Sequence, residues 1–147
     1  MKWNDLHTES CPVARGLSVI GDRWTMLVVR DCFLGFRRFD QIQERLGITR
    51  HVLADRLRKL EAGGVLRRAP YQDRPLRYEY LLTDAGKDLY PVLVTMIDWA
   101  DRHVPAEGGS SVALISRESN DPVLPRLVDA RTGKEITHRT VIATPPA

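Results

Sequence analysis

Residues 39–83 read FDQIQERLGITRHVLADRLRKLEAGGVLRRAPYQDRPLRYEYLLT and carry more structural information than any other part of the chain. Phe39, Ile42 and Leu46 recur at helical spacing, so they predict a short amphipathic helix. Gly47 follows directly and suits the left-handed conformation that ends many helices. The segment therefore begins with a helix and a tight turn.

A second helix is predicted over residues 50–62, with Thr49 as its N-cap and Gly63 and Gly64 as its stop. Its apolar stripe has i, i+4, i+7 spacing and consists of Leu53, Leu57 and Leu60. Two short helices separated by a glycine turn are typical of a helix–turn–helix. A β-hairpin, the wing, is predicted next: strands over residues 65–69 and 76–82, joined by turn residues at 71–75.

A long helix is predicted from a cap at Thr83 to about His103. Pro91 lies inside it and predicts a kink or local break, because proline has no N–H to donate. The apolar face of this helix is expected to be buried against a second subunit. The residues predicted for that dimer interface are Leu89, Leu93, Met96, Ile97, Trp99 and Ala100.

Two further helices are predicted before the motif, one with Pro12 at its first position and one with Asp22 as its N-cap. The second should turn four residues inward: Trp24, Leu27, Val28 and Cys32. The fold class is therefore mainly α, within α+β: a winged helix–turn–helix with a dimerisation helix and a small C-terminal β extension.

The chain is expected to have two parts. Residues 1–107 form the winged helix–turn–helix domain with its N- and C-terminal dimerisation helices. Residues 108–147 form a β-like extension after a Gly-Gly-Ser-Ser hinge, with short strands, a turn at Arg131–Lys134 and a disordered end at 145–147.

Positive charge is concentrated in the predicted motif. Residues 37–78 contain eleven Lys/Arg and five Asp/Glu, a net charge of +6, whereas the whole chain carries only +3. Clustered cations release counterions from a nucleic acid backbone and supply sequence-independent affinity. The sequence therefore favours double-stranded DNA as a partner, although a charged helix face taken alone is more often simply solvated.

The second helix of such a motif places its N-terminal residues against base edges in the major groove. Arg50 could take guanine O6 and N7, and Asp55 could accept from cytosine N4 or pair with Arg58 or Lys59 instead. The predicted recognition-helix residues are Thr49, Arg50, His51, Val52, Asp55, Arg58 and Lys59. The predicted phosphate and wing contacts are Arg37, Arg38, Arg74 and Arg77, while one of Arg67 and Arg68 is expected to be structural because the two alternate faces.

Three segments resemble the HxlR family of bacterial winged-helix regulators: CPVARGLSVIGDRWTMLVVRD (11–31), RRFDQIQERLGITRHVLADRLRKLEAGGVLRR (37–68) and YEYLLTDAGKDLYPVLVTMIDWA (78–100). The resemblance covers about residues 11–103. It implies a transcriptional regulator that binds a pseudo-palindromic operator as a homodimer, with helices at both ends of the subunit in the dimer contact. A MarR-like regulator and a winged helix used only for protein–protein contact are the alternatives.

The resemblance also implies a role for Cys11, since several family members sense electrophiles or oxidants through a cysteine in this Cys-Pro-Val setting. A helix N-terminus favours the thiolate, which is the reactive form. The alternative is a small packing residue, the role expected for Cys32. The chain has no cysteine after Cys32, so a bond from Cys11 to a C-terminal cysteine of the partner is excluded.

No enzyme is predicted, because His7 and Cys11 lack an orienting third group and an oxyanion hole. No cofactor or metal is expected either, since His138 alone cannot build a tetrahedral site. A small-molecule effector stays open. No membrane span or secretory signal is found, so a cytoplasmic protein is expected.

Overall fold

The computed structural model describes residues 1–145. Within that range the chain forms a 3₁₀ helix (Trp3–Thr8), six α-helices and one antiparallel hairpin. The helices are α1 (Pro12–Ile20), α2 (Thr25–Phe33), α3 (Phe39–Leu46), α4 (Arg50–Ala62), α5 (Asp84–Lys87) and α6 (Tyr90–His103). The strands are β1 (Leu66–Asp73) and β2 (Leu76–Leu82).

The core lies between α2, α3, α4 and the base of the hairpin. Leu53, Leu57 and Leu60 of α4 are all at most 1% exposed, which confirms the predicted stripe. The rest of the buried cluster comes from the neighbouring elements: Val28, Val29, Cys32, Ile42, Ile48, Val65 and Leu66. One face of α4 is thus fully occupied inside the subunit, and its other face is left for solvent or a partner.

The turn between α3 and α4 has the predicted geometry. Gly47 adopts φ 64°, in the left-handed region where glycine carries no Cβ penalty. Ile48 is buried, and the Thr49 hydroxyl accepts a hydrogen bond from the backbone N–H of Val52 at 3.2 Å. These local contacts fix the start of α4.

The hairpin is longer than predicted. β1 and β2 pair from Leu66↔Leu82 to Asp73↔Leu76, with a register irregularity between Pro70 and Gln72. The expected five-residue turn is wrong: this irregularity allows pairing to continue to Asp73, and the tip narrows to Arg74–Pro75.

A further bridge extends the sheet at its base. Arg38 pairs with Glu79, and the Arg37 carbonyl accepts from the Tyr80 N–H at 2.7 Å. The segment before α3 therefore runs beside β2, a pairing that the sequence analysis missed.

The start of α2 differs from the prediction. Asp22 is not its N-cap; Trp24 occupies that position with φ 73° and no side-chain capping bond. The Asp22 carboxylate is instead bound to Lys59 at 2.8 Å, which removes it from the helix end. Trp24 and Leu27 are each 38% exposed, so only Val28 and Cys32 point inward as expected.

The predicted long helix after Thr83 is broken, as the position of Pro91 suggested. Thr83 caps α5, its hydroxyl accepting from the Gly86 N–H at 3.0 Å. Pro91 is the second residue of α6. It cannot donate to the carbonyl of Lys87, so α5 and α6 do not continue into each other.

The chain divides into two compact units, Met1–Leu93 and Val94–Ala147. The expected strands of the C-terminal extension are wrong for the described residues: only the isolated bridges Ile115↔Pro122 and Val128↔Glu135 form there. Prolines at 122 and 125 remove donors that a ladder would need.

The turn predicted at Arg131–Lys134 is present, with Gly133 at φ 70°. The expectation of disorder at 145–147 falls mostly on residues outside the described range. The boundary at residue 107 between the DNA-binding domain and the extension stays a prediction.

Candidate nucleic-acid interface

The exposed side of α4 begins at its N-terminus. Arg50 and His51 are exposed, and Val52 is half-buried. The Arg50 guanidinium lies 4.7 Å from the centre of the Phe39 ring and 3.9 Å from the Asp40 carboxylate. Both charged side chains of that pair are more than 70% exposed, so the ion pair is weak and leaves Arg50 available.

Asp55, one turn further along α4, is surrounded by cations of the same helix. Its carboxylate contacts Arg56, Arg58 at 2.9 Å and Lys59 at 3.3 Å. Burial alone would raise the pKa of Asp55, but the Lys59 ammonium and the two guanidiniums outweigh it and lower the pKa. This is the intrahelical pairing that the sequence allowed as an alternative to cytosine recognition.

The C-terminal half of α4 is tied to the segment between α1 and α2. Lys59 donates to the Asp22 carboxylate at 2.8 Å, and the Arg56 guanidinium donates to the Arg23 carbonyl at 2.6 Å. The hydrogen bond from Lys59 is the main reason that the pKa of Asp22 is lowered, and the same bond raises the pKa of Lys59. Arg56 was not among the predicted functional residues, and its role here is structural.

A groove of about 470 Å³ separates the start of α3 and α4 from the wing. Three of the predicted DNA-contacting arginines line it: Arg38, Arg50 and Arg77. The Arg38 guanidinium stacks 4.2 Å from the centre of the Tyr71 ring, which fixes its position without neutralising it. Tyr71 and Phe39, which hold these arginines, were missed by the sequence analysis because their neighbours are distant in the chain.

The arginines of the wing fall into two groups, those directed to solvent and one that contacts α4. Arg74 lies exposed at the tip and Arg77 on β2 is also exposed. Arg68 pairs with Glu61 of α4 at 3.1 Å and lies 4.8 Å from the centre of the Tyr78 ring, so it braces the wing against α4. Arg67 makes no ion pair with any residue that the structure describes.

Asp31 links α2 to the first helix of the helix–turn–helix, α3, and its role was not predicted from the sequence. Asp31 in α2 is fully buried, and its carboxylate accepts from Arg30 at 2.8 and 2.9 Å and from Arg45 at 3.0 and 3.3 Å. Arg45 belongs to α3 and stacks 4.0 Å from the centre of the Phe36 ring. The available signal was an aspartate on the apolar face of α2, which requires a partner when buried.

The two cysteines differ in environment. Cys11 is exposed at the N-cap of α1, directly before Pro12. Cys32 is buried in the core, as predicted, and burial together with the nearby Asp31 raises its pKa to about 12. Cys32 is therefore held as an inert thiol.

The predicted dimer residues fall into two groups. Leu93 is buried and Leu89 packs on the core of its own chain, whereas Met96 and Trp99 are 47% and 55% exposed. Val13 and Leu17 of α1 are exposed as well. In the part of the chain that the structure describes, no helix is long and apolar enough to cross a membrane, and no His, Cys, Asp or Glu cluster suits a metal ion.

The buried leucine stripe, the exposed first turn of α4 and the basic wing define a winged helix–turn–helix DNA-binding protein. The chain belongs to the HxlR-like helix–turn–helix family, which it matches over residues 19–108. It is a transcriptional regulator with the fold that its sequence predicts.

The chain is similar to proteins that share most of its length. It is 41% identical over 133 residues to the uncharacterized HTH-type transcriptional regulator Rv3095 of Mycobacterium tuberculosis, covering 90% of this chain and 84% of Rv3095. The crystal structure of PA1607, described as a candidate transcription factor, is 38% identical with a TM-score of 0.83, covering 94% and 96% of the two chains. The redox regulator HypR in its oxidized form is 34% identical with a TM-score of 0.58, covering 63% of this chain and 97% of HypR.

Proposed function

We propose that the chain acts as a homodimer that reads a pseudo-palindromic operator in a sequence-specific manner. The observation that carries this is the exposure of Arg50 and His51 on the first turn of α4, whose opposite face is sealed by leucines. The first turn of a recognition helix is the part that meets base edges in the major groove.

In this proposal some residues of the interface read bases and others bind phosphates. Arg50 takes the O6 and N7 of a guanine, His51 donates to a purine N7, and Val52 contacts a thymine methyl. Thr49 and the free N–H groups of the helix start hold a phosphate. The remaining arginines bind the backbone or the minor groove: Arg37, Arg38, Arg74 and Arg77.

The test begins with the DNA fragments that purified protein recovers from its own genome, whose common sequence defines the operator. Fluorescence anisotropy then compares two variants. Arg50→Ala should cost about 1–3 kcal/mol on the operator and relax preference at one base pair. Arg74→Ala should weaken binding to all sequences and reduce the salt slope by about 0.9. Equal losses on operator and random DNA for both variants would contradict this assignment of roles.

Asp55 has two competing roles that Asp55→Asn separates. If Asp55 only neutralises its neighbours, removing its charge frees Arg58, whereas Lys59 keeps its bond to Asp22; binding to random DNA then strengthens and its salt dependence steepens. If Asp55 reads cytosine N4, operator binding weakens and discrimination at one position falls. The short contacts in the folded chain support the first role. Asp98→Asn, which breaks a similar pair with Arg102 on α6, serves as the control.

The homodimer is supported by exposed apolar side chains on two helices, Val13 and Leu17 on α1 and Met96 and Trp99 on α6. Apolar surface of this kind on a helix marks an interaction site. Multi-angle light scattering should give twice the chain mass at micromolar concentration. Trp99→Glu should shift that mass toward the monomer, whereas Ile142→Glu, at another exposed apolar position, should not. A stable wild-type monomer would rule the dimer out.

A redox response through Cys11 is the last component of the proposal. Cys11 is exposed and HypR is described as a redox regulator. Oxidation would give a sulfenic acid that condenses with Cys11 of the second subunit or with a small thiol. Operator affinity should change after treatment with hypochlorite or a quinone in the parent and not in Cys11→Ser. An identical response in both proteins would remove Cys11 from the mechanism.

A further inference from the structure

A second basic site lies at the C-terminal end of β2. It is a pocket of about 310 Å³, lined by Arg37, Arg67, Lys87, Cys32, Tyr80, Leu81 and Leu82. Three of these side chains are cations and none is a carboxylate. All three cations are exposed, and Leu81 and Leu82 line the pocket beside them.

Three separate elements bring the cations together. Arg37 is held beside β2 by the hydrogen bond between its carbonyl and the Tyr80 N–H, 2.7 Å long. Arg67 lies on β1 directly opposite Leu81. Lys87 follows Gly86, whose missing side chain lets α5 approach the residue before β1 so closely that a Cβ would lie 2.2 Å from the Val65 carbonyl oxygen.

The three cations have no counterion in the part of the chain that the structure describes. No ion pair joins Arg37, Arg67 or Lys87 to any residue that the structure describes, although arginines elsewhere in the same unit are paired with Asp31, Asp55 and Glu61. Like charges that share one pocket repel each other, and a bound anion would add attractions that offset this repulsion.

We propose that this pocket binds a phosphate group. The guanidiniums of Arg37 and Arg67 can each present two N–H donors to phosphate oxygens, and the Lys87 ammonium supplies a third positive charge. The phosphate belongs either to the DNA backbone or to a free phosphorylated molecule. In the first case the site extends the DNA interface that we propose, and in the second it is an effector site beneath the wing.

Two measurements distinguish the sources, using Arg67→Gln, Lys87→Gln and a matched control. The control is Arg117→Gln, which removes an exposed arginine outside the pocket. The first measurement is the melting temperature in inorganic phosphate against chloride at equal ionic strength. For a free-phosphate site we expect about 3 °C of extra stabilisation in the parent and the control, and a smaller increment in the two pocket variants. General salting-out by phosphate affects all four proteins alike.

The second measurement is the salt dependence of operator binding. If the pocket holds a backbone phosphate, each pocket variant should lower the slope of log K against log salt by about 0.9, and the control should leave it unchanged. A phosphate-specific melting shift in a protein that binds no DNA would support the pocket while refuting the proposed function. Normal operator binding, with pocket variants that match the control in both measurements, would overturn the phosphate site alone.

Discussion

Replacing Asp31 with alanine should destabilise the chain by about 3 kcal/mol, the largest effect expected for any single charged residue in this structure. Asp31 is fully buried between α2 and α3 and receives four N–H···O contacts of 2.8–3.3 Å from Arg30 and Arg45. Its removal breaks the polar link that fixes α3 against α2 and leaves two guanidiniums without their shared anion.

The magnitude follows from the exposure of the partners. Removing one partner of a buried ion pair costs about 3–5 kcal/mol when the other charge stays buried. The side chains of Arg30 and Arg45 are 28% and 37% exposed, so both charges can regain water and the lower end of that range applies. Asp31→Asn keeps the shape and one acceptor, and should cost about 2 kcal/mol.

Urea unfolding followed by circular dichroism provides the assay, with Glu61→Gln as the control. Glu61 pairs with Arg68 at 3.1 Å, but both side chains are at least one-third exposed, so its loss should cost less than about 1 kcal/mol. If Asp31→Ala were no more destabilising than Glu61→Gln, at unchanged denaturant slope, the reasoning that burial gives this ion cluster its strength would be refuted.

Two other stability predictions arise from the same unit. The hydrogen bond from Lys59 is the main reason that the pKa of Asp22 is lowered in the folded chain. The Asp22 carboxylate therefore contributes fully to folding stability above the ordinary carboxyl pKa of 3.8, and this contribution is lost as pH falls through the lowered pKa. The free energy of unfolding, measured between about pH 2 and pH 5, should therefore decrease less steeply with falling pH in Asp22→Asn than in the parent. Parallel curves for the two proteins would contradict this. Gly86→Ala should cost about 2 kcal/mol because its Cβ would meet the Val65 carbonyl oxygen, a backbone atom that cannot move away. Gly16→Ala in α1, where a Cβ meets nothing within 4 Å, should be neutral or stabilising, and equal losses in the two glycine variants would refute the steric account.

The helix–turn–helix could be predicted from the sequence because its boundaries depend on neighbouring residues. Gly47 ends α3 and Thr49 caps α4 through contacts within four residues, and the leucine stripe of α4 repeats with the helical period. Such signals are complete within a short window. The same holds for the break at Pro91, which needs only the missing N–H of one residue.

The start of α2 and the polar support of α3 could not be predicted because distant partners decide them. Asp22 is a good cap by residue type, but Lys59, 37 residues away, holds its carboxylate. The partner of Asp31 in α3 is 14 residues away, and nothing in the spacing identifies it. In the extension short strands were predicted, but only isolated bridges form among the described residues, where prolines at 122 and 125 remove ladder donors.

In the candidate interface, too, features set by the local residue pattern were predicted, and features set by distant side chains were not. Exposure of Arg50, His51 and Arg74 follows from their position relative to the leucine stripe and the hairpin tip, so residue pattern was enough. The aromatic supports of Arg38 and Arg50 required knowledge of which side chains meet across the groove. The choice between Arg67 and Arg68 as the structural residue likewise required the position of Glu61.

The two halves of α4 are built for different tasks. In the C-terminal half, Lys59 and Arg56 are bonded to Asp22 and to the Arg23 carbonyl, so these cations anchor the helix to its own subunit. In the N-terminal half, Arg50 contacts the Phe39 ring and, at 3.9 Å, the exposed Asp40 carboxylate, and no other ion pair of Arg50 is found among residues 1–145, so little must be broken before it can bind a base. A helix whose backbone is fixed at both ends, and whose Arg50 side chain is only weakly held, can present Arg50 in a defined place while keeping its donors free. Preorganisation of this kind lowers the entropy lost on binding, which is why we assign base recognition to the first turn of α4 and orientation to its last two turns.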